Sequence, residues 1–237
     1  MKPALITHEI SARHDVPAGH PERPERYAAI LDHIGDGYQS WQRAAAPLAV
    51  RAQLELVHSE SYLDMVFDVT GDADEPAPLD ADTWASKRGY ECASRAVGGA
   101  CLAVDMVMEN KASTAFSLMR PPGHHAEPEQ AMGFCLFSSA AIAARHAQQK
   151  WGLNRIAVVD FDVHHGNGTQ ACFWMMEACF MHHRIKCHFS RVRAPMMKQV
   201  PIKIFSICHW LMAPVAAPSG WVGVMIYCLR LLRPNLI

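Results

Sequence analysis

Two hydrophobic periods alternate along this chain, and each change of period marks a new element. Residues 2–7 form a short apolar run that predicts a first strand. Over 22–34 the apolar positions Tyr27, Ile30, Leu31 and Ile34 share one face, which predicts a helix. Residues 60–69 predict a second, shorter helix, and 72–82 a loop rich in Pro and Asp. A long helix is expected over 86–109, with Gly98 and Gly99 where a neighbour approaches closely. Residues 114–119 predict a strand, 135–151 an Ala-rich helix, and 155–160 another strand. Strands that alternate with long helices predict an α/β fold, a parallel sheet with helices on both faces. Such sheets bind ligands just beyond the carboxyl ends of their strands.

Two motifs sit at those places. The first is Arg120-Pro121-Pro122-Gly123-His124-His125-Ala126, after the strand at 114–119. The second is Asp160-Phe161-Asp162-Val163-His164-His165-Gly166-Asn167-Gly168, after the strand at 155–160. A carboxylate and an imidazole two residues apart can converge on one cation. Asp162 offers an oxygen and His164 a nitrogen, ligand types of a catalytic zinc site. A histidine pair alone is usually only a polar loop. Beside a metal it can exchange protons near neutral pH.

The two motifs resemble the zinc-dependent histone deacetylase and acetylpolyamine amidohydrolase family, in its bacterial class II-like form. Gly19-His20-Pro21-Glu22-Arg23-Pro24-Glu25-Arg26, Val57-His58-Ser59 with Tyr62, and Gly133-Phe134-Cys135 extend the similarity, which runs from about Leu5 to Trp174. The resemblance implies an arginase/deacetylase-like fold. It implies that His125 is the general base and that His124 is its partner, which protonates the leaving amine. Asp160 then stands behind His124 and Asn167 behind His125. Asp162 and His164 match two of three zinc ligands; the third, an aspartate further on, has no counterpart in this chain. Gly133 and Phe134 match the wall of the acyl-lysine channel, and Arg26 an arginine below the metal. The resemblance also leaves room for a structural monovalent cation near Asp160. The implied substrate is an acetylated lysine or an acetylpolyamine.

Composition adds one surprise. A chain of 237 residues with net charge −1 can bury one sizeable core and makes no general case for nucleic-acid binding. It has no apolar run long enough for a membrane span, and its first residues do not form a signal peptide. Eight cysteines show no Cys-x-x-Cys pair, so free thiols and a cytoplasmic location are expected. Yet residues 1–174 carry 14 Lys and Arg against 22 Asp and Glu, whereas 175–237 carry 8 against the single Glu177. Read one base earlier, the codons of Trp174-Met175-Met176-Glu177 force Asp-Asp-Gly, and those of Met196-Met197-Lys198 force Asp-Glu. Those acidic residues fall where the family continues. One lost G near codon 174 accounts for both the match and the charge break.

The expected organisation is therefore an incomplete deacetylase-like domain over 1–174 and an out-of-frame, non-native tail over 175–237. The leading reading is a zinc-dependent deacetylase by descent, truncated and inactive as written. Two alternatives stand beside it: a non-catalytic acyl-lysine or metal-binding module, and an arginase-like metallohydrolase. Within a genuine C-terminal module, His182, His183, Cys187 and His188 would be candidate ligands. Without the later strands of the sheet, the edge at 156–160 is expected to lack a neighbour and to aggregate. The sequence leaves the oligomeric state open.

Overall fold

The computed structural model describes residues 1–72, 75–153, 156–160 and 162–173, together with the backbone of 179–183 and 222–223. The rest of the tail, with Cys187, His188 and the shifted-frame positions 196–198, lies outside the described residues. The chain opens with β1 (Ala4–Thr7), a 3-10 turn (Glu9–Ala12), α1 (Pro24–Gly37) and β2 (Gln42–Ala45). Then come α2 (Arg51–Leu54), α3 (Glu60–Asp72) and a small antiparallel hairpin of β3 (Ala77–Pro78) and β4 (Trp84–Ala85). The long α4 (Gly89–Met108), β5 (Ala115–Ser117), α5 (Ser139–Trp151), β6 (Ile156–Asp160) and α6 (Asn167–Phe173) follow. Backbone of the tail adds β7 (Cys179–His183) and β8 (Val222–Gly223).

Six of the strands form two three-stranded parallel sheets, ordered β2-β1-β5 and β7-β6-β8. The α/β class expected from the alternation of elements holds. The helices at 22–34, 60–69, 86–109 and 135–151 are all present, with ends shifted by a few residues. Proline at the first turn starts α1, where its missing N–H costs nothing. Gly152 ends α5 in the left-handed conformation, with its N–H capping the last turn.

One expectation is corrected. The edge at 156–160 is not bare: β7 pairs with β6 along its whole length, from Ile156 opposite Cys179 to Asp160 opposite His183. Val222 and Gly223 pair on its other side. A parallel ladder is made by backbone N–H and C=O groups, so any extended segment that reaches β6 can pair with it.

Three buried clusters hold the layers together. Leu54, Leu63, Val66, Val97, Leu136, Phe137 and Ile142 join α2, α3, α4 and α5. The alanine face of α5 packs with Val104 on Ile156, Val158 and Phe173. Leu5, Tyr27 and Leu118 pack α1 on the first sheet. The glycine pair in α4 does mark a close approach. A Cβ on Gly98 would sit 2.0 Å from the Pro47 carbonyl oxygen, and one on Gly99 2.6 Å from Ser117 Oγ. Side chains alternate along β6, so Ile156, Val158 and Asp160 share the buried face. A carboxylate thus ends the core-facing row of that strand.

Two buried histidines stiffen the loops between these layers. His14 Nδ1 meets Ser86 Oγ at 3.1 Å. His58 bridges Pro128 and Ser138 and packs beside Tyr62 and Phe137. Burial pushes both imidazoles down to about 4, so the folded protein holds them neutral. For His14, Glu22 pulls the other way without prevailing. The unfolded chain takes up protons near the ordinary 6.5, so acid between about 6.5 and 4 favours unfolding. We expect each histidine to cost about 2 kcal/mol of stability between pH 7 and pH 5. Urea unfolding at the two pH values measures this, and a His14→Gln/His58→Gln double variant should lose much less over the same interval.

Candidate active site

The segment between β5 and α5 brings His124 and His125 beside the segment that follows β6. His124 is buried, and its Nδ1 lies 2.8 Å from Asp160 Oδ2 at the end of β6. His125 is half-buried, and its Nδ1 lies 2.7 Å from Asn167 Oδ1 at the start of α6. The two rings are 3.9 Å apart between centroids. Each imidazole therefore has an oxygen acceptor at Nδ1. The Asp160 carboxylate, which only accepts, fixes His124 as Nδ1–H, and the Asn167 oxygen, as placed, favours the same tautomer in His125. Burial and then the neighbouring His124 push the His125 imidazole below its ordinary value, against a smaller upward pull from Asn167.

Asp162 and His164 come together as the i, i+2 spacing requires. Asp162 is buried, and its Oδ1 accepts the His164 backbone N–H at 2.8 Å. The same oxygen lies 2.9 Å from His164 Nδ1. The His125 and His164 rings are 6.2 Å apart between centroids. Asp160 connects the two motifs, since its Oδ1 accepts the Asp162 backbone N–H at 3.0 Å while its Oδ2 faces His124.

An oxygen and a nitrogen this close suit two corners of one cation's coordination shell, and carboxylate plus imidazole suits zinc. Two donors do not complete a catalytic zinc site, which has three protein ligands. Among the described residues no group of three His, Cys, Asp or Glu side chains forms such a set. Of His182 and His183 only the backbone, within β7, is described.

Gly133 and Phe134 form a tight turn beside His125, both with positive φ, 58° and 72°. A Cβ on Gly133 would lie 2.4 Å from His125 Cδ2, so only glycine fits against the imidazole. The turn is tied to the hairpin loop. Gly133 N–H donates to Asp82 Oδ1 at 3.2 Å, and Phe134 N–H to Thr83 Oγ1 at 2.9 Å. His20 meets the Phe134 ring edge-on at 5.0 Å. Arg26, on α1, lines a partly open pocket that also reaches Tyr27, Ile30, His124 and Asp160. Its Nη1 lies 3.7 Å from Glu22.

All eight site residues singled out from the sequence, with Arg26, therefore lie around one centre. Sequence reasoning missed the residues that hold them. Glu127 accepts from Asn167 Nδ2 at 2.8 Å. Asp82 and Thr83 grip the Gly133 turn. No periodicity marks these positions; their one signal is nearness in sequence to a motif or a turn.

The sequence profile of the histone deacetylase domain family matches residues 20–188, past the boundary drawn at Trp174. The chain is 42% identical over 160 residues to a histone deacetylase-like amidohydrolase of Pseudomonas aeruginosa, covering 66% of this chain and 41% of that one. It is 40% identical over 184 residues to the polyamine deacetylase HDAC10 of Homo sapiens, covering 73% of this chain and 27% of that one. The chain thus spans less than half the length of these two relatives. The crystal structure of the HDA15 HD domain superposes with a TM-score of 0.71 at 32% identity, over 76% of this chain and 54% of that one. With paired histidines, an Asp-x-His after a parallel strand and a profile match over most of its length, the chain belongs to the histone deacetylase domain family.

Proposed function

We propose that this chain carries the proton-transfer part and two metal ligands of a zinc-dependent amidohydrolase site acting on an acetylated amine, either acetyl-lysine or an acetylpolyamine. The observation that carries this reading is the double pairing His124–Asp160 and His125–Asn167 beside Asp162 and His164. Asp162 and His164 would hold the zinc, which when bound acidifies a water and polarises the amide carbonyl. His125 takes the proton of the attacking water at Nε2, because its Nδ1–H is committed to Asn167. His124, backed by the Asp160 carboxylate, stabilises charge and returns a proton to the departing amine. Gly133 and Phe134 form a wall of the channel for the acyl chain, and the pocket at Arg26 lies behind the pair. Both carboxylate oxygens of Asp160 already accept from protein donors, so a monovalent cation there would draw oxygens from other groups as well.

A second reading, a binding module without turnover, is favoured by the incomplete ligand set among the described residues. The profile match and relatives point to the deacetylase family rather than to an arginase-like enzyme. No described helix is long and apolar enough to cross a membrane; the cytoplasmic location is proposed from the cysteines, which show no Cys-x-x-Cys pair. We further propose that 175–237 is read out of frame, on the charge break and the residues forced by the shifted codons. The β7 pairing and the profile match to residue 188 set the terms of its test. Sequencing the DNA across codons 170–180 decides it. An intact frame shared by independent isolates would make the tail a genuine C-terminus.

Zinc and turnover test the main reading. In equilibrium dialysis the chain should bind zinc weakly, and Asp162→Ala should remove what binds. Tight, stoichiometric zinc lost in Asp162→Ala would instead place a third ligand in the tail. With one G inserted after codon 174, the protein should hydrolyse an acetyl-lysine or acetylpolyamine amide. In that background His125→Ala should lower turnover by about 10²–10⁴-fold, the usual worth of general base catalysis. An unchanged rate would show that His125 is not the base.

The channel turn has its own test. Gly133→Ala should displace the His125 ring and cost about 1–3 kcal/mol of stability through overpacking. Thermal unfolding and the chemical shifts of the His125 ring read the two effects together.

A further inference from the structure

Asn167 can face His125 in two ways. With its carbonyl oxygen toward Nδ1 it accepts, and His125 must carry the proton there. With its NH2 toward Nδ1 it donates, the proton moves to Nε2, and the ring loses the lone pair that receives a proton from water. A neutral amide has no charge to decide between these orientations. A carboxylate has: two lone-pair oxygens accept and never donate.

The half-buried Glu127 stands at the far end of the amide. Its Oε1 lies 2.8 Å from Asn167 Nδ2, while Asn167 Oδ1 lies 2.7 Å from His125 Nδ1. Turning the amide over would set its carbonyl oxygen against the carboxylate, and its NH2 could donate to Nδ1 only with the proton moved to Nε2. Asn167 Nδ2 also lies 3.3 Å from Met132 Sδ and 3.4 Å from the His125 carbonyl oxygen, both acceptors, which favour the same orientation more weakly.

Glu127 is itself held by the turn it begins. Its N–H donates to Gln130 O at 2.9 Å. The Pro128 carbonyl oxygen accepts from His58 Nδ1 at 3.0 Å. His58 has no choice of tautomer, because its Nε2 accepts the Ser138 N–H at 2.9 Å. Donation thus runs from Ser138 through His58 to the turn that carries Glu127, and from His125 through Asn167 to Glu127, so both series of donors end on that turn.

We propose that Glu127 is a positioning residue that orients the Asn167 amide and thereby sets the Nδ1–H tautomer of His125. The assignment rests on the reading of His125 as the base, but its test needs neither zinc nor turnover. Failed hydrolysis would count against that reading alone.

The test uses the full chain labelled with 15N-histidine, without added metal, at a pH where His125 is neutral. Long-range proton–nitrogen spectra report which ring nitrogen carries the proton, and loss of a signal in His125→Gln assigns it. His125 should be predominantly Nδ1–H in the parent chain. Glu127→Gln keeps an acceptor oxygen but loses the charge, and should shift the ratio less than Glu127→Ala does. Glu127→Ala removes the orienting charge and should shift the tautomer ratio about tenfold toward Nε2–H, the worth of one charge-assisted hydrogen bond. Glu127→Lys presents donors to the amide and should shift it further. Asn167→Asp in the Glu127→Lys background restores an acceptor to His125 and should return the ring to Nδ1–H. A merely structural Glu127 predicts no such return. An unchanged ratio in both Glu127→Ala and Glu127→Lys overturns the proposal, as does a Glu127→Gln shift as large as that of Glu127→Ala. If the lysine variant does not fold, the alanine and glutamine pair decides alone.

Discussion

The loop that presents the histidines is anchored by one buried ion pair, Arg120 with Glu22. The two residues are 98 positions apart and almost fully buried, 5% and 1% exposed. Arg120 Nε and Nη2 reach the two Glu22 oxygens at 2.5 and 2.8 Å. Nη1 and Nη2 also donate to the carbonyl oxygens of Ser11 and His14, and the Arg120 backbone N–H donates to Ser11 Oγ. Burying two charges costs several kcal/mol per ion unless the remaining hydrogen-bond positions are filled. In this pair the planar guanidinium fits the carboxylate with two bonds and spends its other donors on backbone. Removing Glu22 takes the carboxylate from a buried guanidinium, a loss of about 3–5 kcal/mol. The segment from Ser11 to Glu22 and the loop after β5 are thereby held in one position, and His124 begins four residues beyond Arg120.

From that anchor the site is built by short steps, each backed by a second group. His124 is held by Asp160, and His125 by Asn167. Asn167 belongs to α6, which docks on the pair through the Thr169 N–H to the His124 carbonyl oxygen at 3.1 Å. The Gly133 turn closes over His125 from the other side and is pinned by Asp82 and Thr83. Each imidazole is thus held by fixed hydrogen bonds and has little freedom to reorient.

What the sequence made legible follows from local physics. The amphipathic period found α1, α3, α4 and α5, and apolar runs found β1, β5 and β6. The motif residues announced themselves because ligand chemistry needs certain side chains at certain spacings. The elements that stayed hidden are those made by tertiary pairing. β2 reads Gln-Arg-Ala-Ala, with no apolar face, and is a strand because it lies alongside β1. α2 and α6 have four and seven residues, too short for a period to show. The strand at Cys179–His183 lies in a stretch whose codons speak more clearly than its hydrophobic pattern, and β6 supplies the ladder that makes it extended. The Arg120–Glu22 pair and the Glu127 contact join segments whose neighbourhood exists only in the fold.

Asp160 serves the histidine pair with one oxygen and the Asp162–His164 segment with the other. The two motifs are therefore not separable cassettes. A designer who grafted the histidine pair onto another scaffold would import two imidazoles without their reference point, and one who grafted only the Asp-x-His segment would import its geometry without the strand end that sets it. The smallest transplantable unit is the end of β6 with both segments attached, and drift at position 160 is felt on both sides at once.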